Sequence, residues 1–324
     1  MSNTSAVRRS ALALIVACAL CAHAAAQTWP DKTVKFIVNF PPGGVADTLA
    51  RAISPGLSEA IKQPVIVENR PGANGAIGAD AVAKSPADGY TFLVTSGGAM
   101  TVDPFIYSNL PYDTQKDLTP VASLAIVRVF LMVHPSVPAK NVNEFVAYAR
   151  ANPGKLSYGS AGSGSSPHIA AEMFKRAARI DATHVPYKGA APALNDLLGG
   201  QVQFMFDPGP GLQHAATGKL TVLAVASAKR ASRYPDVSTL EELGIRVDAD
   251  TTFGVYAPAG TSTAIIERMN REITRTLSSP ALVDNMARLG GEVAPMTIQE
   301  FVSRQAADRA RYGAFIKEAG IKVD

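Results

Sequence analysis

Val34-Lys35-Phe36-Ile37-Val38-Asn39-Phe40-Pro41-Pro42-Gly43-Gly44-Val45-Ala46-Asp47 reads as a buried strand that gives way, through a glycine turn, to a helix. Val34–Asn39 has the Val, Ile and Phe content of a strand. Pro41-Pro42 stiffens its exit, and Gly43-Gly44 opens backbone conformations closed to other residues. The spacing predicts a helix over 47–61, with Asp47 and Arg51 four apart and able to pair. A second stretch repeats the design. Tyr158-Gly159-Ser160-Ala161-Gly162-Ser163-Gly164-Ser165-Ser166 precedes a helical segment ending at Arg179, with Ser166 as cap and Pro167 in the first turn.

A helix start exposes unpaired N–H groups and a partial positive charge. Glycines let that backbone approach a ligand closely. Two such ends facing one cleft make a cradle for a small carboxylate, with no lysine or arginine in either loop. The plainer readings are a tight turn for the first loop and a solvent-exposed linker for the second.

Working outward, strand and helix signals alternate. Strands are expected at 34–39, 65–68 and 91–95, with helices at 47–61 and 76–83 between them. This order predicts a parallel sheet covered by helices. The apolar run Val121–Val133, interrupted by Arg128, is too long for one ordinary strand and reads as a crossing between domains. A second α/β unit follows, with strands at 156–158, 183–185, 202–206 and 220–226. A second crossing is expected at 252–257. The remainder, with Ile265, Ile266, Met269, Ile273 and Leu277 at helical spacing, is read as helical and returns to the first sheet. The expected boundaries are a leader at 1–26, lobe 1 at 27–126, lobe 2 at 127–251, and a helical return to lobe 1 at 252–324. The fold class is α/β, two lobes, each a mainly parallel sheet covered by helices, with two hinge crossings.

Arg8-Arg9 followed by the apolar run Ala11–Leu20 and the small residues before Gln27 reads as a cleaved secretory signal. Ile15-Val16-Ala17-Cys18 resembles a lipobox, but the apolar run continues past Cys18, which favours cleavage over lipid anchoring. Removing 26 of the 324 residues leaves 298, enough for two domains with cores. Cys18 and Cys21 leave with the leader, so no disulfide or cysteine metal site is expected. Arg8 and Arg9 also leave. The remaining 29 basic and 27 acidic residues give a small charge that argues against nucleic acid.

Neither loop is a nucleotide motif. There is no G-x-x-x-x-G-K-[ST], Gly162-Ser163-Gly164 lacks the third Rossmann glycine, and no G-x-S-x-G elbow occurs. His134, His168, His184 and His214 have no metal-site spacing, and neither metal nor cofactor is expected. His168 could line a pocket or act as a base, but a surface or capping role is the plainer reading. Asp207 ends a predicted strand, where parallel sheets meet ligands, and it equally suits a turn aspartate bonded to its own backbone.

An ordered run of motifs resembles the Bug receptors, periplasmic solute-binding proteins of tripartite tricarboxylate transporters. The run comprises Trp29-Pro30-Asp31-Lys32, Val38–Gly44 with Asp47 and Arg51, Val67-Glu68-Asn69-Arg70-Pro71-Gly72-Ala73-Asn74-Gly75 and Asp88-Gly89-Tyr90-Thr91. It continues through Tyr158-Gly159-Ser160 with Gly162, Val185-Pro186-Tyr187-Lys188-Gly189 and Phe206-Asp207. The resemblance implies a Venus-flytrap receptor for a small organic acid, serving membrane permease subunits and expected to be a monomer. It implies ligand contacts from Gly44, Val45, Ala46 and Asp47, from Ser160, Gly162, Ser163 and Ser166, and from Asp207 at the ligand's other end. Asn39 occupies a position where such receptors vary, and Pro208-Gly209-Pro210-Gly211 after Asp207 is unusually stiff, so ligand identity does not carry over. A secreted hydrolase using Ser163 or Ser166 with His168 lacks an ordered nucleophile–base–orienter set. A sensor accessory that presents ligand to a kinase would share fold and pocket.

Overall fold

A computed structural model describes residues 29–322. The expected leader and both cysteines lie outside them. In chain order the first unit is β1 (Val34–Val38), α1 (Val45–Ile61), β2 (Val65–Asn69), α2 (Ala76–Ala83) and β3 (Thr91–Ser96), then two short helices, α3 (Gly98–Thr101) and α4 (Asp103–Ile106), and β4 (Leu118–Val127). The second unit is β5 (Phe130–Val133), α5 (Val142–Ala151), β6 (Ser157–Ser160), α6 (Ser166–Ala178), β7 (Thr183–Pro186), α7 (Ala190–Leu198), β8 (Phe204–Asp207), α8 (Leu212–Ala216) and β9 (Thr221–Val225). The chain closes with β10 (Thr251–Pro258), α9 (Thr263–Leu277), α10 (Pro280–Arg288), β11 (Glu292–Val293) and α11 (Ile298–Ala319).

Two sheets result, in the orders β11-β4-β10-β3-β1-β2 and β7-β6-β8-β5-β9. Both are mixed. β1 pairs in parallel with β2 and β3, and β6 with β7 and β8. The strands that carry the chain between lobes enter antiparallel: β10 against β3 and β4, and β5 against β8 and β9. The α/β repeats thus build the parallel half of each sheet, and the crossings add the antiparallel half.

The run 121–133 divides at Arg128-Val129 into β4 of one sheet and β5 of the other. Thr251 at the start of β10 pairs with Val127 at the end of β4, so the two crossings lie side by side. Arg128 is buried and reaches Glu292 at 3.1 Å. The C-terminal stretch was expected to carry no strand. It contributes β11, two residues on the β4 edge, too short to show any periodicity. The helices α3 and α4 were not anticipated, because Gly97-Gly98 and Pro104 punctuate a stretch with no apolar repeat.

Alternation places Phe36 and Val38 against α1 and α9, and Ile37 on the opposite face with Ala79 and Phe301. In lobe 2, Phe204 and Phe206 face the α5 and α6 side, while Met205 faces α7. Each such fully buried phenylalanine contributes about 1.5–3 kcal/mol. α9 buries Ile266, Met269, Ile273 and Leu277 on one stripe, and Ser262 caps it by accepting from Ile265 N–H. These cores bring the segments that follow β1 and β3 of lobe 1 against those that follow β7 and β6 of lobe 2.

Candidate functional site

The first loop is braced from behind. Asp47, 4% exposed, accepts from Gly43 N–H at 2.9 Å, from Arg51 Nε at 2.9 Å and from Asn69 Nδ2 at 3.0 Å. Burial alone would raise its pKa, but the bonds from Arg51, Gly43 and Asn69 hold it below the usual range. Its side chain is therefore committed inside the protein. What α1 offers outward is backbone. Among the described residues, the N–H groups of Val45, Ala46 and Asp47 meet no acceptor, while Gly44 N–H makes only a long 3.4 Å contact with Pro41 O.

The serine loop is also fixed internally. Ser160, fully buried, sits 2.7 Å from His184 Nε2 and 3.1 Å from Gly162 O. Ser165 Oγ donates to Gly162 O at 2.6 Å, and Gly164 N–H donates to His168 Nδ1 at 3.0 Å. The His168 ring stacks on His184 at 4.1 Å, and Tyr158 stacks beyond it at 4.9 Å. Burial lowers the His168 pKa to about 4, and that of His184 to about 3 with the neighbouring His168 adding to the effect. His168 is thus neither a surface residue nor a base poised beside a nucleophile: it is a buried acceptor that shapes the loop. Neither Ser163 nor Ser166 bonds to it among the described residues. Ser163 and Ser166 present N–H groups with no acceptor there. Ser166 also lines a small closed cavity between the lobes with Gly98, Thr101, Asp250, Thr252 and Tyr312, of ≈ 10 Å³, room for about one water.

Asp207 is fully buried. Its Oδ1 accepts from Gly209 N–H at 2.7 Å and Gly211 N–H at 2.8 Å, as a turn aspartate does. Its Oδ2 has no partner among the described residues. Burial outweighs the two backbone bonds and pushes the carboxyl up to about 6.

The two lobes meet across these loops. A Cβ on Gly189 would stand 3.6 Å from Pro41 Cγ, and one on Gly162 would stand 3.6 Å from Asn74 Oδ1 and 3.3 Å from Tyr187 O. Gly98 comes equally close to Gly164 O, its added Cβ lying 3.6 Å away. So the serine loop lies on the Asn74 turn and on α3 and α4, while Pro41 of the first loop faces the segment after β7. Asn39, at the end of β1, donates to Gly75 O at 3.0 Å and keeps a buried, unpartnered Oδ1. The sequence reading passed over Asp103 and gave Asn74 no separate role. The local signals were Gly72 and Asn74-Gly75, which mark a turn, and Asp103-Pro104, which marks a helix start. Neither signal says that the two side chains meet.

Among the described residues, no group of His, Cys, Asp and Glu could hold a metal ion, and no helix is long and apolar enough to cross a membrane.

Residues 49–321 match the family model described as tripartite tricarboxylate transporter family receptor. Protein BugT of Bordetella pertussis is 35% identical over 312 residues, 95% of this chain and 96% of that protein. The solved structure of R. palustris Rpa4515 with adipate superposes with a TM-score of 0.86 at 36% identity, covering 91% of this chain and 99% of that one. MatC from Rhodopseudomonas palustris with bound malate gives 0.82 at 30% identity, covering 88% and 99%.

Proposed function

The chain belongs to the tripartite tricarboxylate transporter receptor family, and from that premise we propose that it is a periplasmic receptor that closes on a small carboxylate-bearing solute and delivers it to a tripartite tricarboxylate-type permease. Family and neighbours are solute-binding receptors, and the protein is not an enzyme. The observation that carries the ligand class is the pair of helix starts. α1 and α6, of 17 and 13 residues, follow loops that contain no lysine or arginine and begin with N–H groups that meet no acceptor among the described residues. Unpaired N–H groups and the helix dipole favour an anion. Relatives of the same fold carry adipate and malate.

In this reading the carboxylate bridges Gly44, Val45, Ala46 and Asp47 N–H on lobe 1 and Ser163 and Ser166 on lobe 2. Ser160 and Gly162 set the loop's shape, and the free Oδ2 of Asp207 meets the far end of the solute. Lobe 1 comprises 27–126 and 252–324 and lobe 2 comprises 127–251, with the pivots within a residue or two of these bounds, at Arg128 and Asp250–Thr251. Segment 1–26 exports the chain and is cleaved. The receptor acts as a monomer, and the solute is a dicarboxylate, an amino acid or a small aromatic acid. Closure follows from the ligand's greater affinity for the state in which both loops reach it.

A thermal-shift panel tests the class. Dicarboxylates, amino acids or small aromatic acids are expected to raise Tm and sugars to leave it unchanged. A panel in which only sugars or cations raise Tm overturns the reading.

A further inference from the structure

Buried Asp103 and half-buried Asn74 stand out because they are bonded to each other and each keeps a buried oxygen with no partner among the described residues. Asn74 Nδ2 donates to Asp103 Oδ1 at 2.8 Å. Asp103 has no exposed surface, and neither its Oδ2 nor Asn74 Oδ1 has a partner among the described residues. A buried polar atom left unpaired costs about 1–3 kcal/mol. Each of the two oxygens can accept a hydrogen bond, and they belong to side chains already bonded to each other.

The backbone is bent to put Asn74 there. Gly72, Ala73, Asn74 and Gly75 all have positive φ, at 132°, 45°, 51° and 95°. Two consecutive non-glycine residues in that region are unfavourable. In this conformation the Asn74 amide reaches Asp103.

Lobe 2 covers the pair. A Cβ on Gly164 would stand 2.9 Å from Asn74 Nδ2, 3.2 Å from Asp103 Oδ1 and 2.2 Å from Ile106 Cδ1. Only a glycine lets the serine loop come down so far. The pair therefore belongs to the closed state, between the lobe-1 turn and the lobe-2 loop that carries Ser163.

We propose that Asn74 and Asp103 form a subsite that takes a hydrogen-bond-donating substituent of the solute, a hydroxyl or an ammonium group, and so selects substituted organic acids over plain ones. The inference rests on the carboxylate-receptor reading and adds the substituent that reading leaves open. Burial pushes the Asp103 carboxyl well above the usual range, only partly offset by the Asn74 bond. A donor arriving at Oδ2 relieves that cost, and a bare methylene does not.

Calorimetry on the purified protein tests this with matched acids: succinate against L-malate and L-aspartate, glutarate against L-glutamate, and adipate against its α-amino derivative. The wild type is expected to bind a substituted member about tenfold or more tighter than its plain partner, the scale of a hydrogen bond to a charged group. Asp103→Asn, which keeps the shape, is expected to bring that ratio to about one to threefold. Asn74→Gly keeps the positive-φ backbone and is expected to lower the ratio too. It carries the test if Asp103→Asn does not fold. Gly164→Ala is expected to weaken both members of each pair and leave the ratio unchanged, because it obstructs closure rather than selection. A wild type that prefers the plain acids, or a folded Asp103→Asn with an unchanged ratio, overturns the subsite while the receptor reading stands. A wild type that binds no acid of the panel or of the thermal-shift screen overturns both.

Discussion

Asp207 keeps one carboxylate oxygen in its own turn and leaves the other buried and free. The turn reading of the sequence is met on Oδ1, and the free Oδ2 is the atom that the proposed function uses. The charge on that side chain has a consequence for stability. Its folded pKa is raised to about 6 by burial, against an unfolded value near 3.8. Below the unfolded pKa both states are protonated and Asp207 costs nothing. As pH rises through about 6, the folded protein must carry a buried anion, and the stability present at low pH is lost, by roughly 3 kcal/mol for a shift of this size. Asp250 is raised to about 6 as well, mainly by burial, so the raw pH profile mixes the two. The difference between wild type and Asp207→Asn isolates one. The Tm of the variant minus that of the wild type is expected to grow between about pH 4 and pH 7. A constant difference across that range would mean that Asp207 ionises as freely in the folded protein as in the unfolded one.

At the scale of elements, each loop is held by the third residue of the helix it precedes, four residues beyond the glycine it binds. Asp47 ties down Gly43, and His168 ties down Gly164. Each brace uses one N–H and fixes the loop, while the N–H groups of Val45, Ala46 and Asp47 and of Ser163 and Ser166 meet no acceptor among the described residues. Gly162 has φ +124° and Tyr187 O close by, so a side chain there is strained and also presses toward Asn74. Gly162→Val is expected to abolish most binding while circular dichroism still reports a folded chain. Ser163→Ala is expected to cost only about 0.5–1.5 kcal/mol of binding, the net worth of one hydrogen bond. Wild-type affinity in a folded Gly162→Val protein, measured by calorimetry, would remove this loop from the pocket.

At the scale of the molecule, the proposed closure makes the interface between the lobes the difference between its two states. Ile169 of α6 is buried in a cluster with Val102, Ile106, Tyr312 and Ile316, all from lobe 1. Two exposed ion pairs also join residues of the two lobes, Arg176 with Glu318 and Arg233 with Asp284. Such pairs contribute about 0–1 kcal/mol each. Burial of an apolar side chain contributes more, so the cluster rather than the ion pairs sets the closure equilibrium. Ile169→Ala removes apolar volume that only the closed state buries against lobe 1. It is expected to weaken solute binding about tenfold or more without touching the solute, since affinity scales with the closed fraction. Small-angle scattering should show that more solute is needed to reach the compact form. Arg176→Ala is expected to change affinity less than twofold, a shift within the range of a surface ion pair, ~0–1 kcal/mol. Equal effects of the two substitutions would show that charge, not apolar contact, holds the lobes together.

Much of this was legible in the chain. Val34–Asp47 declared its strand, turn and helix because local propensity and tertiary role agree there: Phe36 and Val38 are apolar and buried, and Gly43 adopts a positive φ. The alternation of strand and helix specified two α/β units, and Arg128 inside an apolar run marked the crossing between them. What only the tertiary structure decided are meetings between residues far apart in sequence. The stack of Tyr158, His184 and His168, the antiparallel entry of β5 and β10, and the contact of Gly164 with Asn74 and Asp103 join segments tens of residues apart. Propensity and capping act within a turn or two of the chain, so a sequence reveals them directly. Which side chain satisfies which buried polar atom depends on how two lobes pack, and that is fixed only when the whole chain has folded.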